Sequence, residues 1–92
     1  MNEHSEDLDL RKRRLRFRAW HRGTREMDLL LGHFADAELA KLDAGDVGSF
    51  EALLEVPDPE LYGWITGTIE IPASHDTPLL RRLCAFHRGG AR

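Results

Sequence analysis

Two helical patterns in this chain are separated by almost nothing. The first runs to about Arg22, the second starts at about Arg25, and only Gly23 and Thr24 lie between them. A junction this short needs one residue that ends a helix and another that begins the next. Gly23 can take the left-handed conformation that closes a helix, while Thr24 can cap the following one and leave Glu26 and Asp28 near its positive end. The stretch Arg22-Gly23-Thr24-Arg25-Glu26-Met27-Asp28 therefore predicts a tight corner carrying four charged side chains. Taken alone, those charges could equally be solvated punctuation.

The helix after the corner has the clearest stripe in the chain. Met27, Leu30, Leu31 and Phe34 follow the i, i+3, i+4, i+7 spacing of a buried face, which predicts a central helix from about Arg25 to Leu42. At ~100° per residue, Arg25, Asp28, Leu29, Gly32 and Asp36 project to the other side. A glycine inside a helix costs about 1 kcal/mol relative to alanine, a cost that close approach by another backbone can offset. Gly32 is thus a candidate contact, either for a later helix of the same chain or for a partner protein.

The first helix is less sharply patterned. Ser5 is its expected cap, Leu8, Leu15 and Ala19 lie near one side, and Leu10, Phe17 and Trp20 lie on others. Some of these groups are expected to pack on later helices and some to stay exposed for a partner. Downstream, the segment from Asp43 to Ser49 breaks the pattern, and Phe50, Leu53 and Leu54 predict a short third helix ended by Pro57. Asp58 before Pro59 reads as a cap for a fourth helix through Leu61, Tyr62, Trp64 and Ile65 to Gly67. Residues 68–72 alternate like a strand but have no second strand to pair with, so an extended connector is expected. Thr77 and Pro78 open a fifth helix through Leu79, Leu80, Leu83 and Phe86, closed by Gly89-Gly90. The expected architecture is an all-α, five-helix bundle in one domain over residues 1–92, with flexible ends at 1–6 and 89–92.

Size limits what such a chain can do. Ninety-two residues suit one domain with a radius of gyration of roughly 12 Å and a single modest core. A pocket of ~300 to 1,000 Å³ for a large cofactor would replace much of that core, which places function on the surface. Cys84 is the sole cysteine and lies at the edge of the fifth helix's apolar stripe, where a small core residue is expected rather than a nucleophile. The acidic start fits neither a secretory signal nor a transit peptide, and no apolar run approaches the ~18 residues of a membrane span, so a bacterial cytoplasm is the expected location.

Charge is uneven despite a net value of -3. Residues 11–18 contain six bases, whereas residues 26–71 contain eleven acids against the single Lys41. Phosphate contacts are one use for such a basic run. Its own helix offers another, since Asp7 precedes Arg11 and Asp9 precedes Arg13 by four residues, the favourable order for ion pairs. No metal ligation is expected, because His4, His21, His33, His75 and His87 are scattered without metal-ligand spacing. No phosphate loop or nucleophile-plus-base pair stands out. Tyr62 and Trp64 could stack on a ligand, although beside Leu61 and Ile65 they are expected in the core.

Two motifs carry a resemblance that covers nearly the whole chain. Arg22-Gly23-x-Arg25-Glu26-x-Asp28 before a leucine-rich helix, and then Leu53-Leu54-x-x-Pro57-Asp58-x-x-Leu61-Tyr62-x-Trp64-Ile65, resemble the FAD assembly factors of succinate dehydrogenase. The resemblance implies a small five-helix protein, not an enzyme, that binds the flavoprotein subunit of succinate dehydrogenase and in bacteria often that of fumarate reductase. It further implies that such a protein promotes covalent attachment of FAD to a histidine of that subunit. Carried over by position, the protein-binding residues are Arg22, Gly23, Arg25, Glu26 and Asp28, to which the helix pattern adds Gly32. No catalytic residue and no stably bound cofactor are expected in this chain: FAD belongs to the partner. The chain is expected to be a monomer without nucleic-acid binding. An antitoxin-like or regulatory protein-binding module is the alternative, and a nucleic-acid-binding helical module is a third class that salt-dependent binding would reveal.

Overall fold

The chain was described from a computed structural model, which places residues 3–90 and the side chains of residues 7–88. The flexible ends expected at 1–6 and 89–92 lie at or outside those limits. Five α-helices follow in order: α1 (Glu3–Trp20), α2 (Arg25–Glu38), α3 (Ala44–Leu53), α4 (Asp58–Thr66) and α5 (Pro78–Ala85). Short 3₁₀ turns at Leu39–Lys41 and Ala73–His75 and a π-type turn at Phe86–Gly90 complete the regular structure. The described residues contain no strand, so the class is all-α. Two compact units divide at Val47 and Gly48.

In the first unit α1 packs against α2. Leu15 and Ala19 of α1 and Met27, Leu31, Phe34 and Ala35 of α2 are buried, and Leu30 is half-buried. The broad pattern of α1 has the expected outcome, since Leu10 and Phe17 stay on the surface. Its charges behave differently. Among the described residues no ion pair joins Asp7 to Arg11 or Asp9 to Arg13. Arg16 reaches instead to Asp36 of α2 at 2.7 Å, and Lys12 Nζ donates to the Ala40 carbonyl at 3.3 Å. Packing of α1 brings those two partners within reach. The start of α1 at Glu3 also puts Ser5 inside the first turn rather than at the cap.

Two further boundaries depart from expectation. Beyond Glu38 the helix tightens into a 3₁₀ turn, so α2 is shorter than its apolar stripe suggests. The expected break after Asp43 is instead the first half of α3. Asp43 caps that helix, its carboxylate accepting the Asp46 N–H at 2.8 Å, and the cap outweighs the low helix propensity of Gly45 and Gly48.

In the second unit α4 packs against α5. Pro57 occupies the capping position of α4, so Asp58 is its first helical residue rather than its cap. Gly67, at φ +84°, closes the helix in the left-handed region, and the Gly63 carbonyl accepts the N–H groups of Gly67, Thr68 and Ile69. The connector from Thr68 to Pro72 forms no strand, as expected. Tyr62 and Trp64 divide, with Trp64 buried and Tyr62 on the surface. Cys84 is buried with Sγ 3.6 Å from the Trp64 carbonyl, and burial pushes its thiol pKa up, away from nucleophilic use at neutral pH.

Thr77 caps α5 by accepting the Leu80 N–H at 3.1 Å, and Leu79, Leu80 and Leu83 of that helix are fully buried. Thr77→Ala should therefore cost about 1 kcal/mol and lower the thermal midpoint by roughly 4 to 8 °C in a circular-dichroism melt. An unchanged midpoint would show that α5 is held by packing alone.

Candidate functional site: the corner between the first two helices

The corner is built by backbone groups seeking partners. Once α1 ends at Trp20, the N–H groups of Arg22 and Gly23 point away from any helical carbonyl. Both are taken up by one oxygen of Asp28, at 2.6 Å and 3.2 Å. Gly23 sits at φ +121°, a conformation that side chains with a Cβ rarely adopt. Thr24 then caps α2, with its hydroxyl oxygen accepting the Met27 N–H at 3.3 Å and its carbonyl accepting the Asp28 N–H at 2.9 Å. Residues 22–28 therefore close a loop of hydrogen bonds on themselves.

That closure divides the predicted site residues into two groups. Asp28 is half-buried and engaged within the corner, where its carboxylate ties the end of the α1 segment to the first turn of α2. Hydrogen bonds to charged groups contribute about 1.5 to 3 kcal/mol each, more than an exposed ion pair. Arg25 and Glu26 are exposed, and neither makes a hydrogen bond or ion pair among the described residues. Their charges are available to another molecule. Arg22 is half-buried and enters the corner through its backbone N–H.

Gly32 requires a correction. It is buried, and what lies directly on it is the indole of Trp20 from the preceding helix rather than open surface. A Cβ at Gly32 would stand 2.6 Å from Trp20 Cε3 and closer still to Cδ2 and Cε2. A Cβ at Gly23, by contrast, would meet nothing within 4 Å. One glycine is required by backbone conformation and the other by space.

Trp20, Gly23, Thr24, Arg25, Asp28 and Leu29 line a shallow depression at the corner. Its floor is apolar, since Trp20 is half-buried and Leu29 is 39% exposed. One turn earlier on α1, Phe17 is 65% exposed and stacks on the His21 ring at 4.0 Å between centroids. The His21 Nδ1–H donates to the Phe17 carbonyl at 2.7 Å, which holds that stack. The helix pattern puts Leu29 and Asp36 on the outward face and leaves Trp20 either packed or exposed for a partner, without joining Trp20 to Asp36. The row Asp28, Gly32, Asp36 at i, i+4, i+8 was the available signal for both.

The depression thus combines an exposed apolar floor with the exposed Arg25 and the engaged Asp28 at its edge. Among the described residues no group of three or more His, Cys, Asp and Glu side chains could hold a metal ion. No helix there is long and apolar enough to cross a membrane. The fold and the corner define a small helical protein with an apolar depression at a tight junction between two helices.

Comparison with known proteins supplies the family. A sequence model of the family described as the flavinator of succinate dehydrogenase matches residues 13–87. The chain is 43% identical over 88 residues to the FAD assembly factor SdhE of Acetobacter pasteurianus, covering 92% of this chain and 81% of that protein. It is 39% identical over 80 residues to the mitochondrial succinate dehydrogenase assembly factor 2 of Dictyostelium discoideum, covering 87% of this chain. A third relative, from Culex quinquefasciatus and of the same name, is 34% identical over 83 residues. The chain spans 56% and 52% of those two mitochondrial proteins. It belongs to the succinate dehydrogenase flavinator family, the group of FAD assembly factors.

Asp28→Ala removes the acceptor of two amides and should lower the thermal midpoint by roughly 8 °C or more, whereas Arg25→Ala and Glu26→Ala should stay within a few degrees of wild type. Melting curves of the three variants side by side check this. Equal midpoints for all three would show that Asp28 does not hold the corner.

Proposed function

We propose that this chain binds the flavoprotein subunit of succinate dehydrogenase through the corner and promotes covalent attachment of FAD to that subunit. Family membership supplies the partner. The observation that carries the site is the division of labour within residues 22–28. Asp28 fixes the backbone, Arg25 is left exposed and unpartnered beside the Trp20 and Leu29 floor, and Glu26, the next residue, is likewise exposed and unpartnered.

The chain's contribution is positional. Holding the partner's FAD domain in one geometry keeps the reacting histidine and flavin near each other, and orientation of this kind can supply several kcal/mol of a barrier. The bond-forming chemistry belongs to the partner and its flavin. A bacterial cytoplasmic setting, a monomeric state and service to the fumarate reductase flavoprotein as well accompany this reading.

FAD itself does not suit the corner. The natural anion site there is the N-terminus of α2, but Thr24 already takes up an amide of its first turn and Glu26 and Asp28 put negative charge beside it. A diphosphate would meet repulsion where a flavin site offers free amides. Titration calorimetry of the isolated protein with FAD should accordingly show no submicromolar affinity, and such affinity would overturn the assignment of FAD to the partner.

The functional test is reconstitution. Purified flavoprotein subunit lacking covalent flavin, incubated with FAD and this chain, should acquire covalent flavin, read as fluorescence that survives denaturing electrophoresis. Arg25→Ala and Glu26→Ala should reduce that signal strongly, since truncating one member of a buried interface charge pair costs ~2 to 5 kcal/mol. Gly23→Arg should do likewise while staying largely helical, because its backbone strain is about 1 to 2 kcal/mol and its side chain would protrude into the depression. Normal flavinylation by all three variants would remove the corner from the docking surface.

A further inference from the structure

Trp20 is the last residue of α1, and its side chain is held from three directions. Its face lies on the bare backbone of Gly32, where any Cβ would intrude. Its Nε1–H donates to Asp36 Oδ1 at 3.2 Å. The His33 ring meets it edge-on, with centroids 5.3 Å apart and planes at 82°. Asp36 is itself fixed, because the same oxygen accepts Arg16 Nε–H at 2.7 Å. The hydrogen bond from the Arg16 guanidinium is also the main reason that the Asp36 carboxyl stays below the usual carboxylate range.

Large rings are rarely buried completely, so what matters is where the exposed part of Trp20 faces. The residue is half-buried and lines the depression beside Leu29 and Arg25. The three α2 residues that organise it lie in one row: Asp28 ties down the backbone after Trp20, Gly32 seats the ring, and Asp36 receives its N–H. Displacing the ring by one Cβ would therefore change the docking floor without touching Arg25 or Glu26.

We propose that Trp20 is a positioning residue of the docking surface, with its indole held on Gly32 by Asp36 in the one orientation that lets the flavoprotein subunit seat against the corner. This rests on the docking reading given above. It assigns Gly32 and Asp36 a role through Trp20 rather than through contact with the partner.

The test is a double-mutant cycle of Gly32→Ala and Trp20→Ala. It reads binding of the purified flavoprotein subunit by titration calorimetry, the thermal midpoint, and the Trp20 indole N–H resonance by NMR. Gly32→Ala gains helix propensity but crowds the indole, so the midpoint should fall by several degrees at most and the variant should stay folded at the assay temperature. Its indole resonance should shift, and binding should weaken roughly tenfold or more. Trp20→Ala should weaken binding comparably, and adding Gly32→Ala to it should bring little further loss, because the ring through which Gly32 acts is already gone. Trp20→Phe keeps a ring on Gly32 without the N–H and should recover part of the binding, a rescue independent of whether Gly32→Ala folds. Wild-type binding by Gly32→Ala, multiplying losses in the double variant, or losses that follow the unfolded fraction would each overturn the role of Trp20. Arg25→Ala serves as the control. If it weakens binding and Gly32→Ala does not, only the Trp20 role fails; if neither weakens binding, the docking reading itself fails.

Discussion

One oxygen of Asp28 accepts two consecutive backbone N–H groups, those of Arg22 and Gly23, and the geometry of the corner depends on it. Two amides released by the end of a helix must find acceptors or remain in water. A carboxylate in the first turn of the next helix satisfies both and is favoured there by the helix dipole. The two helices are thereby joined through a handful of residues, and Gly23 is held at a φ that a side chain would resist. Depression, exposed charges and aromatic flank all take their positions from that closure.

This explains why charges adjacent in sequence carry different meanings. Arg25, Glu26 and Asp28 look alike as a charged motif, yet one is bound into the backbone and two face solvent. Exposed charges contribute little to folding, so Arg25 and Glu26 can be replaced at small cost to stability whereas Asp28 cannot. The same logic applies to the basic run of α1. Arg16 and Lys12 are engaged by Asp36 and the Ala40 carbonyl, so part of the apparent nucleic-acid patch is an internal contact between α1 and the region after it.

The family is described by its effect on succinate dehydrogenase. A chain of this size can meet that task with a rigid surface, since positioning demands a fixed shape more than a reactive group. The tight closure of residues 22–28 and the three-sided hold on Trp20 provide such rigidity within one helix pair.

Much of this was legible in the chain itself. The 3.6-residue period of Met27, Leu31 and Phe34, the cap residues Thr24 and Thr77, and the glycine between two helices act over a few residues, so they determine helices, corner and all-α class locally. The two motifs likewise pointed to the family. What the sequence could not show were contacts between residues far apart along it. Asp43 and its glycines read as a break because a cap and a turn share the same residues, and only the formed hydrogen bond to Asp46 distinguishes them. Gly32 read as an outward contact because its neighbour, Trp20, lies twelve positions earlier on another helix. Whether a glycine is open or covered depends on how two helices cross, and that is decided by the packing of both at once.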